Sequence, residues 1–406
     1  MNAPAAEKSR VPVTVLCGFL GAGKTTLLRQ LLMQAGSTGS GPTAGRRWAA
    51  VVNDVASINI DAQLVAQAGA QRVVELGNGC VCCSVRDELA ETVAELCANP
   101  PPGAAAGETY DHILIETTGV AEPRAIARLF TRRNAFGRSL SDFARLSALV
   151  TVIDARHFLE THRKATAATV IAPPATQKPV YELLVEQAEC ADVLVLNKCD
   201  LVTADELAGV ERILRGLNPR AEVLHAEQGQ LAAEVLLDRV RFDPDATLRA
   251  ARWIRVLDSL GGASSPARPP GAPYLRPPPM HEHDYGITSV VFQERRPLDA
   301  EKFHAFLMGG LPPGLLRAKG FFWLRQQPAD IGFLSIAGGQ VKKDFVGTWA
   351  AELRERGVIT EAEIPESARA RWAEPHGDRR QELVFIGTGL DAAALQAALA
   401  GCLAES

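Results

Sequence analysis

The chain has 406 residues, 47% of them hydrophobic and 22% charged, enough for two or three domains with cores of their own. A formal net charge of −4 gives no whole-chain basic field, which argues against broad nucleic-acid binding. No run approaches about 20 apolar residues and the N-terminal MNAPAAEKSRVPV lacks an apolar h-region, so a reduced, cytoplasmic protein without a membrane partner is expected.

Short β-rich runs alternate with helical patterns from the start. VPVTVLC precedes a helix from Lys24, and WAAVVN precedes a helix near Ala62 to Ala68. RVVEL is followed by a helix after Ser84, HILIE by one after Glu122. LVTVID, then ADVLVLN with a helix after Thr203, then AEVLH complete the series. Runs such as ILIE and VLVLN are apolar on both faces, as strands covered by helices on each side must be. The alternation predicts a doubly wound, mostly parallel α/β domain over residues 1–258. Two segments read as surface insertions, GSTGSGPTAGRR near 36–47 and IAPPATQKP near 171–179. Residues 259–284, rich in proline and glycine, read as a linker. Beyond it, YGITSVVFQ, GFFWLRQQ, IGFLSIAG and QELVFIG read as strands, with AEKFHAFL and DAAALQAALAGCL as helices. They predict a smaller α+β domain over 285–406.

GFLGAGKTT, Gly18 to Thr26, follows a strand and opens a helix, the context a phosphate-binding loop requires. Gly18, Gly21 and Gly23 with Ala22 turn backbone N–H groups toward phosphate oxygens, and the helix N-terminus adds its dipole. Lys24 is placed to reach the β and γ phosphates, Thr25 to offer its hydroxyl to Mg²⁺, and Thr26 continues the loop into the helix. NKCD ends the strand ADVLVLN, so Asn197, Lys198 and Asp200 lie where an open α/β sheet binds ligands. A carboxylate there accepts the N1 and N2 donors of guanine, which adenine does not supply. Between these motifs, IETTGVAEP puts Glu116 at a strand end, as a Mg²⁺ ligand through water, and gives Gly119 the freedom to bring its N–H to a γ-phosphate. Such a loop is a switch, ordered by the γ-phosphate and released on hydrolysis.

Eight cysteines are present, and three crowd into GNGCVCCSVRDEL. Cys17, Cys97, Cys190, Cys199 and Cys402 are scattered singly, a pattern unlike a disulfide scaffold. Thiolates are soft ligands suited to zinc, and Cys80, Cys82 and Cys83 can present two or three sulfurs to one ion, with Asp54, a water or a client ligand as a fourth. Gly77 and Gly79 permit the loop this needs. Another transition metal, a vicinal Cys82–Cys83 disulfide, a sensor thiol beside Arg86 or purely structural cysteines are the alternatives. His281 and His283 in MHEHDYG offer a second, looser metal site or a solvated linker. Arg379 and Arg380 read as a solvated strand start or a client-facing pair.

Taken together, GFLGAGKTT, GCVCC, IETTGVAEP and NKCD in this order resemble the CobW-like P-loop GTPases, relatives of the nickel-insertion GTPases. YGITSVVF, RAKGFFWL and GDRRQELVFIG resemble the C-terminal signatures of the long, zinc-regulated branch. VNDVASINID resembles that branch's first switch, although Ser57 stands where the branch usually carries Glu. The resemblance implies a GTPase with GTP, Mg²⁺ and Zn²⁺ as its ligands. Lys24, Thr25, Glu116 and Gly119 would perform the hydrolysis, with Thr25, Asp54 and Glu116 around magnesium. Zinc at Cys80, Cys82 and Cys83 would pass to an apo-metalloprotein client, and the C-terminal domain would recognise that client or mediate homo-oligomerisation. The rival readings are a zinc-buffering or sensing GTP-binding protein, and insertion of cobalt or iron into a metalloenzyme such as nitrile hydratase.

Overall fold

The computed structural model describes residues 10–35, 45–52, 72–75, 84–99, 101–105, 108–131, 133, 137, 139–171, 178–244, 251, 254 and 286–405. They group into two compact units. One comprises residues up to 158 with 186–211 and 220–250; the other takes 159–185, 212–219 and 251 onward.

In the first unit, β1 (Val11–Cys17), β2 (Trp48–Val52), β3 (Arg72–Glu75), β4 (His112–Glu116), β5 (Ala144–Asp154), β7 (Val193–Asn197) and β8 (Glu222–His225) form one sheet in the order β3-β2-β4-β1-β5-β7-β8. Every neighbouring pair is parallel. The doubly wound parallel sheet expected from the sequence is therefore present. Leu16, Ala50, Val52, Leu114, Val150 and Val195 turn to one face and pack on Leu27, Leu28, Leu31 and Leu32 of α1 (Lys24–Ala35). Val13, Val15, Val51, Ile113 and Ile115 turn to the other face. There they meet Leu89, Val93 and Leu96 of α2 (Ser84–Ala98) and Ala127 and Phe130 of α3 (Pro123–Thr131). Strand residues alternate between two apolar layers, which is why these runs carry almost no polar residues. The parallel register pairs Leu16 with Glu116, Cys17 with Thr151 and Asp154 with Asn197, so the carboxyl ends of four strands finish along one edge.

Helices α4 (Ala155–Thr166) and α5 (Val180–Glu189) flank the two-residue strand β6 (Val170–Ile171), which no periodicity announces. They are followed by α6 (Ala204–Leu217) and the short α7 (Ala233–Leu237). In the second unit, β6 pairs in parallel with β12 (Gln340–Thr348). Antiparallel pairings continue the sheet through β11 (Gln327–Ala337), β10 (Leu315–Leu324) and β13 (Gln381–Thr388) to β9 (Ile287–Glu294). The Ile171 end of the expected surface insertion is thus strand, and residues 172–177 lie outside the described residues. Phe303, Phe306 and Leu307 of α8 (Ala300–Gly309) pack with Phe322, Leu334, Ile336 and Phe385 of that sheet. The short α9 (Ala350–Glu355) and α10 (Glu366–Arg369) come next, and Leu395 and Leu399 of the closing α11 (Ala392–Gly401) join the same core. Asp299 and Asp391 cap the N-termini of α8 and α11 by accepting backbone N–H bonds.

Arg379 and Arg380 are not a solvated strand start. Arg379 is 7% exposed and bridges Glu352 and Glu355 at 2.6 and 2.7 Å, while Arg380 pairs with buried Glu382 at 2.7 Å. Two planar forks matched to carboxylates on α9 and β13 need the desolvated setting that the sequence does not display.

Candidate functional site

The strand-end edge of the first unit holds the loop Gly18–Lys24, which leaves β1 and opens α1. Gly18, Gly21 and Gly23 take φ values of 139, 71 and 100°, a conformation that lines backbone N–H groups on the inside of the turn. Any other residue at Gly23 is costly, because a Cβ there would lie 2.2 Å from Asn197 Nδ2. The Asn197 side chain donates to Ala22 O at 2.9 Å and accepts from Gly229 N at 3.0 Å. It is 2% exposed, and it ties the phosphate-loop backbone to the turn after β8. Lys24, also buried, directs Nζ to Phe19 O at 3.1 Å. The Phe19 ring stacks on His157 with centroids 5.6 Å apart. Thr26 is exposed on the first turn of α1.

Thr25 and Glu116, far apart in sequence, meet here: Thr25 Oγ1 donates to Glu116 Oε1 at 2.7 Å. Glu116 ends β4 and is 5% exposed. The next residue is held down twice, since Thr117 N and Oγ1 both donate to Leu16 O, at 3.0 and 3.2 Å. The turn Thr118–Ala121 closes with Ala121 N donating to Thr118 O at 3.1 Å. Gly119 lies so near the phosphate loop that a Cβ would sit 2.7 Å from the backbone nitrogen of Leu20.

At the end of β7, Lys198 adopts the left-handed conformation at φ 59° and extends Nζ to Asp154 Oδ2 at 2.7 Å. Asp154 is held in turn, accepting from His157 N through Oδ1 at 2.9 Å. Asp200 follows on the exposed side of this turn. Lys24, Thr25, Glu116, Gly119, Asn197, Lys198 and Asp200 all fall on the edge where the strands end.

Cys80, Cys82, Cys83 and Asp54 lie outside the described residues, as do His281 and His283. Among the described residues no group of three His, Cys, Asp or Glu side chains converges as a metal site. Four of the scattered thiols, Cys17, Cys97, Cys199 and Cys402, are poor ligands where they sit. Burial pushes Cys17 up to about 11 against a smaller lowering by Thr117, pushes Cys97 to about 11, and raises Cys199 and Cys402.

With this edge in place, the comparison with known proteins decides the family. The model described as "CobW/HypB/UreG, nucleotide-binding domain" matches residues 12–225, more than half of the chain. The chain belongs to the CobW/HypB/UreG family. A second match, the "Cobalamin synthesis protein cobW C-terminal domain", covers residues 287–403 of this CobW-type chain. The "Zinc-regulated GTPase metalloprotein activator 1" of Dictyostelium discoideum is 30% identical over 413 residues, spanning 97% of this chain and 80% of that protein. Two proteins named "Zinc chaperone CobW" are similar over shorter stretches. That of a Sinorhizobium species is 32% identical over 58% of this chain and 65% of its own length; that of Pseudomonas aeruginosa is 33% identical over 58% and 61%. The resemblance read from GFLGAGKTT, GCVCC, the switch motif and NKCD is borne out.

Three residues that position the CobW-type edge escape the motif reading. Asp154 was legible in principle, as a carboxylate closing the run LVTVID much as Glu116 closes HILIE. Gly229 sits in the turn signal after AEVLH. Gln187 on α5, 1% exposed, donates through Nε2 to Gly119 O at 3.1 Å and Ala121 O at 3.2 Å, and nothing in VYELLVEQAE singles it out.

Among the described residues no helix is long and apolar enough to cross a membrane.

Proposed function

We propose that this CobW-type protein hydrolyses GTP and uses the cycle to deliver zinc to an apo-metalloprotein client. The observation that carries the nucleotide half is the 2.7 Å contact between Thr25 of the phosphate loop and Glu116 of the switch strand, with Gly119 against Leu20. It joins the residue that senses the nucleotide's phosphates to the loop that must move when the γ-phosphate leaves. Two hard oxygens facing each other beside Lys24 fit Mg²⁺, which would supply neutralisation of the charge that develops on the phosphates. Thr25 and Glu116 would hold it, with Asp54 as a further ligand.

The residues of this chain then do the positioning. N–H groups of Gly21, Gly23 and Lys24 cradle the phosphates, and the Ala22 N–H and Lys24 Nζ exchange Phe19 O for phosphate oxygens. Asp200 accepts the guanine N1 and N2 donors beside Lys198, whose Nζ Asp154 holds in place. Gly119 donates its N–H to the γ-phosphate until water attacks the γ-phosphorus and the bond to the β-phosphate oxygen breaks, leaving GDP and phosphate. Such a site relies on orientation and electrostatics, so slow turnover without a partner is expected.

Support for zinc as cargo comes from the names of the relatives and from the soft donors Cys80, Cys82 and Cys83, which lie in the chain between Asp54 and Glu116. The test is zinc competition titration of wild type and of Cys82→Ser/Cys83→Ser, each with a non-hydrolysable GTP analogue, with GDP and without nucleotide. The double variant is expected to lose orders of magnitude in zinc affinity and keep its melting temperature. Wild-type zinc affinity should change with the nucleotide, and linkage requires zinc to change GTP affinity by the same factor. Equal zinc affinity in all three states would remove hydrolysis as a means of release.

A further inference from the structure

The switch loop of the first unit is gripped by a residue that belongs to none of the nucleotide motifs. Gln187 lies in α5 and is 1% exposed. Its one amide nitrogen donates to two carbonyls of the switch, Gly119 O at 3.1 Å and Ala121 O at 3.2 Å. With both protons of Nε2 used on carbonyls, the orientation of the amide is settled by its partners. Its Oε1, buried, has no hydrogen-bond partner among the described residues. A buried acceptor left over is a standing cost, and an apolar side chain of similar volume would fill the same space without it. The amide nitrogen is therefore what the position needs. The residue itself is moored to the sheet, since Thr151 Oγ1 on β5 donates to the Gln187 backbone carbonyl at 2.9 Å.

The loop is thus held at two points. Thr117 is bonded to Leu16 of β1 at its start, and Gly119 and Ala121 hang from Gln187 at its end. Between these points lies the Thr118–Gly119 peptide, whose N–H the functional reading assigns to the γ-phosphate. Fixing the Gly119 carbonyl removes the rotation about that residue that would turn the N–H away, and Gly119 has the least intrinsic resistance to such rotation.

We propose that Gln187 is a positioning residue for the γ-phosphate switch, holding Gly119 so that the loop distinguishes GTP from GDP. The inference rests on the GTPase reading above. It predicts an effect on what depends on the γ-phosphate and little on what does not. GDP, which never meets Gly119, is the internal control.

The experiment measures affinity for GDP and for a non-hydrolysable GTP analogue, steady-state hydrolysis and melting temperature in the full chain, for wild type, Gln187→Met and Gln187→Glu. Gln187→Met fills the volume and donates nothing. Its affinity for the GTP analogue should fall about tenfold, kcat should fall by at least as much, and GDP affinity should stay within about twofold. Gln187→Glu donates only while protonated. Its hydrolysis rate relative to wild type should decline as pH rises through the raised pKa of a buried carboxyl, with no such trend in Gln187→Met. Equal losses for GDP and the GTP analogue in Gln187→Met, or an unchanged ratio of the two with unchanged kcat, overturn the proposal. If Gln187→Met does not fold, the pH trend in Gln187→Glu decides, and a flat profile overturns it. Wild-type protein that binds no guanine nucleotide overturns the functional reading itself and this inference with it, which separates the two failures.

Discussion

Replacing Gly23 by alanine tests whether the phosphate loop is kept in shape by Asn197. At φ 100° an L side chain is strained, by about 1–3 kcal/mol. The new Cβ would stand 2.2 Å from Asn197 Nδ2, so the amide has to leave. It then gives up its bonds to Ala22 O and Gly229 N, each contributing about 0.5–1.5 kcal/mol. Together these terms amount to about 2–6 kcal/mol. Gly21→Ala is the control, because Gly21 also has positive φ, 71°, but has open space where the Cβ would go. Denaturant unfolding of Gly21→Ala, Gly23→Ala, Asn197→Ala and the Gly23→Ala/Asn197→Ala double variant, with GDP titrations of each, separates backbone strain from displacement. Gly23→Ala should be more costly than Gly21→Ala by about 1–3 kcal/mol, and most of that excess should vanish once Asn197 is already alanine. GDP affinity should fall in parallel, since the N–H groups proposed to bind phosphate belong to the disturbed turn. Equal costs at Gly21 and Gly23, or strict additivity in the double variant, would falsify the account of Asn197 as the brace of this loop.

Asp200→Asn should weaken GTP and GDP binding by roughly 1.5–3 kcal/mol per lost charge-assisted bond and shift preference toward xanthine nucleotides, measured by competition titration. Wild-type protein that binds ATP as tightly as GTP would remove the guanine assignment. His112, buried against Thr14 Oγ1 at 2.9 Å, is pushed by burial, then by Arg46 and Arg145 and against Asp238, from 6.5 down to about 3. Below pH 6.5 the unfolded chain takes up a proton that the folded chain refuses. Stability is therefore full above 6.5 and is lost as pH falls toward about 3, with about 2 kcal/mol gone by about pH 5. Unfolding titrations of His112→Gln, which keeps a partner for Thr14, should show a pH slope shallower by about one proton in that window; an unchanged slope would place the titration elsewhere.

The parallel sheet was legible because its strands are buried on both faces, and Val13, Ile113, Leu149 and Val193 leave no room for polar alternation. The nucleotide motifs were legible for a different reason: a phosphate loop is made of backbone, and the glycines that allow it are visible as letters. What escaped has no local signature. Gln187 is one polar residue among several on α5, and only the fold brings it to Gly119. Strand β12, QVKKDFVGT, carries charges at Lys342, Lys343 and Asp344 that blur its period, and its identity comes from pairing with β11. His112 reads as polar yet is 4% exposed, because a neighbouring strand supplies the Thr14 hydroxyl.

Strand β6 has a consequence for the order in which this protein is made. Val170 and Ile171 pair with Gln340 and Val341, which leave the ribosome about 170 residues later. Glu182, which accepts from Ser335 Oγ at 2.6 Å, waits almost as long. At ordinary synthesis rates of roughly 5–20 residues per second, the delay is on the order of 10–30 s. During that interval the segment is a nascent strand without a sheet, the state in which stray edge pairing and aggregation begin. Two residues of strand, with Pro173 and Pro174 close behind, offer a foreign strand almost nothing to pair with, and prolines donate no N–H. A longer or more regular β6 would hold β12 more firmly in the finished protein and expose more of itself while the chain was still growing.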